Sequence, residues 1–172
     1  MSTRYEDILE QTFTTVEAYC VVKEREFSVE WLSPDAREGR AIFDVSNRVI
    51  IRTPVVGDDP VALVIGLHEC GHVLFDHDVR RSKYFYEFDT VSLRARREAE
   101  DKQFLIPEEV QASQFALSIM RHHDVPPRDV SLAEEFCAKA LVSLGAEHSE
   151  AYQSFVRRFA HVNVSLKPQG VV

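Results

Sequence analysis

No stretch of this chain approaches the roughly 20 consecutive apolar residues that a membrane-spanning helix needs, so no membrane association is expected. The N-terminus, Met1-Ser2-Thr3-Arg4-Tyr5-Glu6-Asp7, lacks the basic and apolar pattern of a secretory signal. Cysteine is scarce. Cys20, Cys70 and Cys137 are odd in number and far apart, which excludes a disulfide framework and a C-x-x-C zinc knuckle. A reducing, cytoplasmic setting fits that usage. Basic residues are outnumbered: 20 Lys and Arg stand against 28 Asp and Glu, a net charge of −8. Phosphate contacts need a basic face, so direct nucleic-acid binding is not expected. No internal repeat, low-complexity segment or convincing helix-turn-helix is present.

What remains is an ordinary globular composition, 45% apolar over 172 residues, which suits one domain with its own core over 1–172. A helix is expected from about Tyr5 to Glu26, with Ile8, Leu9, Val16, Tyr19, Cys20 and Val22 on one stripe. Three strand-like stretches follow, Phe27 to Leu32, Arg40 to Val45 and Arg48 to Arg52. The last two read as a hairpin around Ser46-Asn47. After a connector from Thr53 to Pro60, Asp58 or Asp59 is placed to cap the next helix, with Pro60 in its first turn. That helix is expected to end near Asp76 to Asp78. Further on, Pro107 reads as the start of a helix whose apolar face is Ala112, Phe115, Ala116 and Ile119. Pro126-Pro127 breaks the chain. Two amphipathic helices are expected across about 131–161. The fold class is therefore α+β: a mostly helical domain with a small N-terminal sheet.

One pentapeptide carries chemistry. His68-Glu69-Cys70-Gly71-His72 is an H-E-x-x-H motif inside the apolar, helix-compatible run Val61 to Phe75. On a helix, residues four apart share a face, so His68 and His72 can hold one zinc ion between them. Glu69 stands beside the first histidine, where a carboxylate can take a proton from water at the metal. The bland alternative is a solvated helix with two exposed histidines. The apolar surroundings oppose it, because buried His and Glu need partners.

A zinc site of this kind needs a third protein ligand. Asp78 occupies the position of a ligand seven residues after Cys70's neighbour Gly71, but Phe75 stands where a bend-forming glycine would be needed. Cys20 lies in a helical stripe, and Cys70 would point away from the His68–His72 face. Glutamates downstream are the remaining candidates: Glu98, Glu100, Glu108 and Glu109. Glu98 and Glu100 sit in a charged run that reads as a solvated helix face. Glu109 lies three residues before Ala112, on the face that must pack inward. Its competing role is favourable charge in a first helical turn. His77, His122 and His123 read first as surface histidines, with a role beside the metal as the alternative. Gly71 is expected to let a neighbouring element pack closely.

The order of these features resembles the ImmA/IrrE family of metallopeptidases. The resemblance runs over about residues 40–122 and rests on Arg48 to Arg52, His68-Glu69-Cys70-Gly71-His72 and Glu109-x-x-Ala112-x-x-Phe115-Ala116-x-x-Ile119-Met120. Cys70, Ser113 and Arg121 depart from the family's usual residues. The resemblance implies a zincin-like domain in which His68, His72 and Glu109 bind Zn2+ and Glu69 is the catalytic base. It further implies a protein substrate such as a helix-turn-helix transcriptional repressor of a phage or mobile element. The alternative function is a non-proteolytic, metal-stabilised module that binds a regulator or toxin. The basic and aromatic segment Arg80 to Arg97 reads as a solvated loop, with gating of the cleft as its alternative.

Overall fold

Thr3 starts the first helix, α1 (Arg4–Val22), with a capping box. Its side chain accepts from the Glu6 N–H, and the Glu6 carboxylate accepts from the Thr3 N–H. The computed structural model describes residues 3–43, 46–77, 91–144, 146 and 149–158, and of residues 91–105 and 158 the backbone alone. Tyr5, Ile8, Leu9, Phe13, Val16 and Cys20 bury one stripe of α1. Val22, placed on that stripe by spacing, is instead 80% exposed. The helix stops there, because Glu24 takes a left-handed φ of 55° and turns the chain into β1 (Glu26–Leu32).

Two further strands, β2 (Arg40–Phe43) and β3 (Arg48–Pro54), pair antiparallel as the expected hairpin. Asn47 supplies the left-handed turn residue, at φ 61°. Asp44 and Val45, expected to extend β2, lie outside the described residues. β3 also pairs with β1, in parallel, so the strand order is β1-β3-β2 and β2 is an edge strand. Val49 and Ile51 turn inward, while Glu30 and Arg52 pair on the outer face.

The central element is α2 (Pro60–Leu74). Asp59 caps it by accepting from the Val61 N–H at 2.8 Å, and Pro60 fills the first position, where no N–H is needed. Every residue from Ala62 to Leu67 is buried. α2 touches α1, β2, β3, α3 (Val91–His122) and α4 (Pro127–Ser143). A final helix, α5 (Glu150–Arg158), packs on α3. With five helices and one three-stranded sheet among the described residues, the fold is α+β and mostly helical.

Two expectations about helix ends need correction. Pro107 does not open a helix but lies inside α3. An interior proline costs roughly 3 kcal/mol, because it lacks the N–H that bonds back four residues. Ile106, Glu108 and Val110 around it are buried, so tertiary packing overrides the local preference. The first of the two last helices begins earlier than expected, at Pro127, and residues 159–161 of the expected span lie outside the described residues.

The motif helix ends at Leu74, where Asp76 takes a left-handed φ of 54°. Its carboxylate is held from three sides. The Tyr19 hydroxyl donates to it at 2.6 Å, and Arg25 and Lys23 lie at 3.1 and 3.4 Å. Burial pushes the Asp76 pKa up, but the bonds from Tyr19, Arg25 and Lys23 outweigh it and hold it below the ordinary 3.8. A carboxylate whose folded pKa is depressed stabilises the fold above its unfolded pKa and loses that contribution as pH falls through the folded value.

Gly71 fits the expected close approach. A Cβ there would lie 3.1 Å from Ala112 Cα and 3.2 Å from Phe115 Cδ1, so α2 and α3 nearly touch through their backbones. Gly71→Val should lower the unfolding free energy by about 1–3 kcal/mol, because the helices must separate. Denaturant titration checks this, and an unchanged midpoint would contradict it. Separately, the stability difference between wild type and Asp76→Asn should be full at neutral pH and shrink below about pH 4. A difference constant from neutral to acid would remove Asp76 from the acid limb.

Candidate metal centre

His68 and His72 stand one turn apart on α2 and project from the same face, with their Nε2 atoms 3.0 Å apart. The third group comes from α3. Glu109 Oε2 lies 3.0 Å from His68 Nε2 and 3.4 Å from His72 Nε2. The Gly71–Ala112 contact explains this reach. Glu109 precedes Ala112 by three residues, so the packed face of α3 carries its carboxylate to the histidines. These three groups form the one cluster among the described residues that could hold a metal ion. Burial raises the Glu109 pKa, yet the two imidazoles pull it down further, well below the usual carboxylate value. The carboxylate is therefore ionised and ready to act as a ligand.

Glu69 lies deeper and is 8% exposed. Its Oε2 accepts the Ala41 N–H of edge strand β2 at 2.6 Å. Gly39 permits this approach, since a Cβ there would come within 2.9 Å of Glu69 Cγ. Burial holds the Glu69 pKa above the ordinary value, against the pull of His68, His72 and the Ala41 N–H. A cleft of about 430 Å³ opens between β2 and the helices, lined by residues 39–43, Glu69, His72 and Glu109.

The far nitrogens of both histidines are also engaged. Ser113 Oγ lies 3.2 Å from His68 Nδ1. His77 Nδ1 lies 2.8 Å from His72 Nδ1, and Gln111 Oε1 lies 3.0 Å from His77 Nε2. Ser113 and Gln111 come from the same α3 segment as Glu109.

No family model matches the chain, and no curated protein or solved structure matches it significantly.

The expected trio of His68, His72 and Glu109 is thus brought together, with Glu69 alongside. Cys20 and Cys70 are buried in the hydrophobic core instead. Glu108 is buried one residue from Glu109 and is not in the cluster. Asp78, the side chains of Glu98 and Glu100, and residues 80–90 of the basic segment lie outside the described residues, as do the side chains of its remainder. His122 fits the surface reading, since it is exposed, and it lies 13 residues beyond Glu109, about 20 Å along the helix; His123, just past the helix end, is half-buried. For His77 the surface reading is wrong: it is fully buried. The sequence held one signal for it, a histidine just past the end of the motif helix, where the chain can fold back under His72. Gln111 and the Ala41 amide carry no side-chain signature that spacing could expose.

Titration with a divalent transition metal should reveal one tight site per chain. Glu109→Ala should weaken it by more than the about 10–100-fold that a neighbouring, non-ligating partner contributes. Equal affinity in the variant would place the ion elsewhere.

Proposed function

We propose that this protein is a zinc-dependent endopeptidase of the ImmA/IrrE type that cleaves a regulatory protein, such as a helix-turn-helix repressor. The observation that carries the reading is the convergence of Glu109 on the two motif histidines, with Glu69 buried next to them at the floor of an open cleft. The donor set supports zinc over the harder cations: two imidazoles and one carboxylate suit zinc, whereas calcium and magnesium favour oxygen alone. The spacing is close as well. Ligand atoms at roughly 2.0–2.1 Å from one ion would lie about 3.3–3.4 Å apart; the three edges here are 3.0, 3.0 and 3.4 Å, so two would open by a few tenths of an ångström.

Bound zinc would supply Lewis acidity toward the scissile carbonyl and toward water. The rest of the chemistry falls to the chain. Glu69 takes the proton that water loses and delivers it to the departing amine. Its raised pKa suits that exchange, because a stronger base accepts the proton more readily. The Ala41 N–H fixes the Glu69 carboxylate so that one oxygen stays oriented. Edge strand β2 runs along the cleft and offers main-chain groups to an extended peptide, which favours a polypeptide substrate over a compact small molecule. The acidic net charge leaves DNA recognition to the substrate.

Glu69→Gln tests the assignment. The zinc-loaded variant should retain its metal and lose cleavage by at least about 100-fold, the lower range for a positioned proton carrier. The measurement is mass spectrometry of new N-termini in a peptide library and in any small repressor encoded beside this gene. A wild type that binds such a repressor tightly without cutting it would favour the interaction-module reading. Cleavage retained by Glu69→Gln would remove Glu69 from the base role.

A further inference from the structure

His72 can ligate a metal through Nε2 only if its hydrogen sits on Nδ1. Neutral imidazole side chains in water favour the other tautomer, with hydrogen on Nε2. The protein must therefore supply an acceptor at Nδ1 to reverse that preference. His77 Nδ1 lies at 2.8 Å, in the right place. An imidazole can also donate, which would fix the wrong tautomer, so the direction of this bond matters. Gln111 settles the direction. Its carbonyl oxygen faces His77 Nε2 at 3.0 Å, and a carbonyl can only accept. In the neutral ring the hydrogen of His77 is thus on Nε2, its Nδ1 is a lone pair, and His72 donates to it.

We infer that His77 is a positioning residue that holds His72 in its metal-binding tautomer and orientation, through a one-way chain from His72 to His77 to Gln111. The inference rests on the metal reading of His68, His72 and Glu109. It assigns His77 no contact with metal or substrate. Asp76, the preceding residue, is anchored to Tyr19, Lys23 and Arg25 on the opposite side. That anchor fixes the turn from which His77 folds back under α2. The ring also stacks on Phe75, with centroids 5.6 Å apart and planes 24° from parallel. Among the described residues, His68 has no comparable director. Ser113 can donate or accept at its Nδ1 and so does not choose a tautomer.

Two substitutions separate the acceptor from the ring. His77→Phe keeps the stacking on Phe75 and removes the acceptor. His77→Asn loses the ring and places an amide oxygen near the position of Nδ1. Zinc affinity, read by competition with a chromophoric chelator, should fall by about 10–100-fold in His77→Phe and stay within about threefold of wild type in His77→Asn. Gln111→Leu should cost less than His77→Phe, because exposed Gln111 can be replaced by water. Nitrogen-15 NMR of the imidazoles in the metal-free wild type should find hydrogen on His72 Nδ1 and on His77 Nε2. If wild type binds zinc and His77→Phe matches it, or if His77→Asn is as weak as His77→Phe, the positioning role is wrong and the metal reading survives. If wild type binds no zinc, both fall. Should neither variant fold, a His72 Nδ1 found without hydrogen would overturn the role by itself.

Discussion

The close contact between α2 and α3 is the constraint on which the rest of this molecule depends. A Cβ at position 71 would meet Ala112 Cα at 3.1 Å, tighter than ordinary contact, so glycine is what lets the two helices settle this close without displacement. That contact puts the carboxylate of one helix among the imidazoles of the other, and in the same step it places Ser113 at the rear nitrogen of His68 and Gln111 at the far nitrogen of His77. Five polar groups thus take their positions from one packing event. They are arranged by apolar burial along both helices, which is non-directional, and then made specific by the shape of the seam.

Such a concentration of polar groups is expensive without compensation. Glu69 and Glu109 carry like charge, so Glu109 adds to the cost of ionising buried Glu69, and Glu109 is itself partly withdrawn from water. Hydrogen bonds from the β2 backbone and the imidazoles offset part of that cost. A divalent cation would offset the rest, which is the physical reason an arrangement like this favours a metal over an apolar replacement. The sheet contributes by geometry. β3 lies between its neighbours, so β2 is left at the edge with main-chain groups directed at the helix that bears Glu69.

Much of the site was legible in the sequence because its main periodicity is helical. His68 and His72 follow the four-residue rule, and Glu109 is tied to Ala112 by three, so their common faces could be read directly. Asp59 and Pro60 announced the start of α2 in the same way. The missed parts share another property: each depends on the path of the backbone beyond an element. Period alone places Val22 inside, since it does not mark where a helix stops. Local preference makes Pro107 a beginning, and only tertiary packing overrides it. Nothing local to His77 reveals that Asp76 reverses the chain and carries the ring inside. The parallel pairing of β1 with β3 is a long-range choice that the strands' own residues do not encode.

The bond from Ala41 to Glu69 comes from main chain, so no exchange of side chain at position 41 short of proline can delete it. What can delete it is a shift in strand alignment. In an antiparallel pair, successive amides face alternately toward and away from the partner. Sliding β2 by a single residue along β3 would aim the local amide at β3 and leave the buried carboxylate facing none. Insertions and deletions in the hairpin should therefore be felt at Glu69 more sharply than point changes on its strands, and the turn's length becomes part of the site's chemistry.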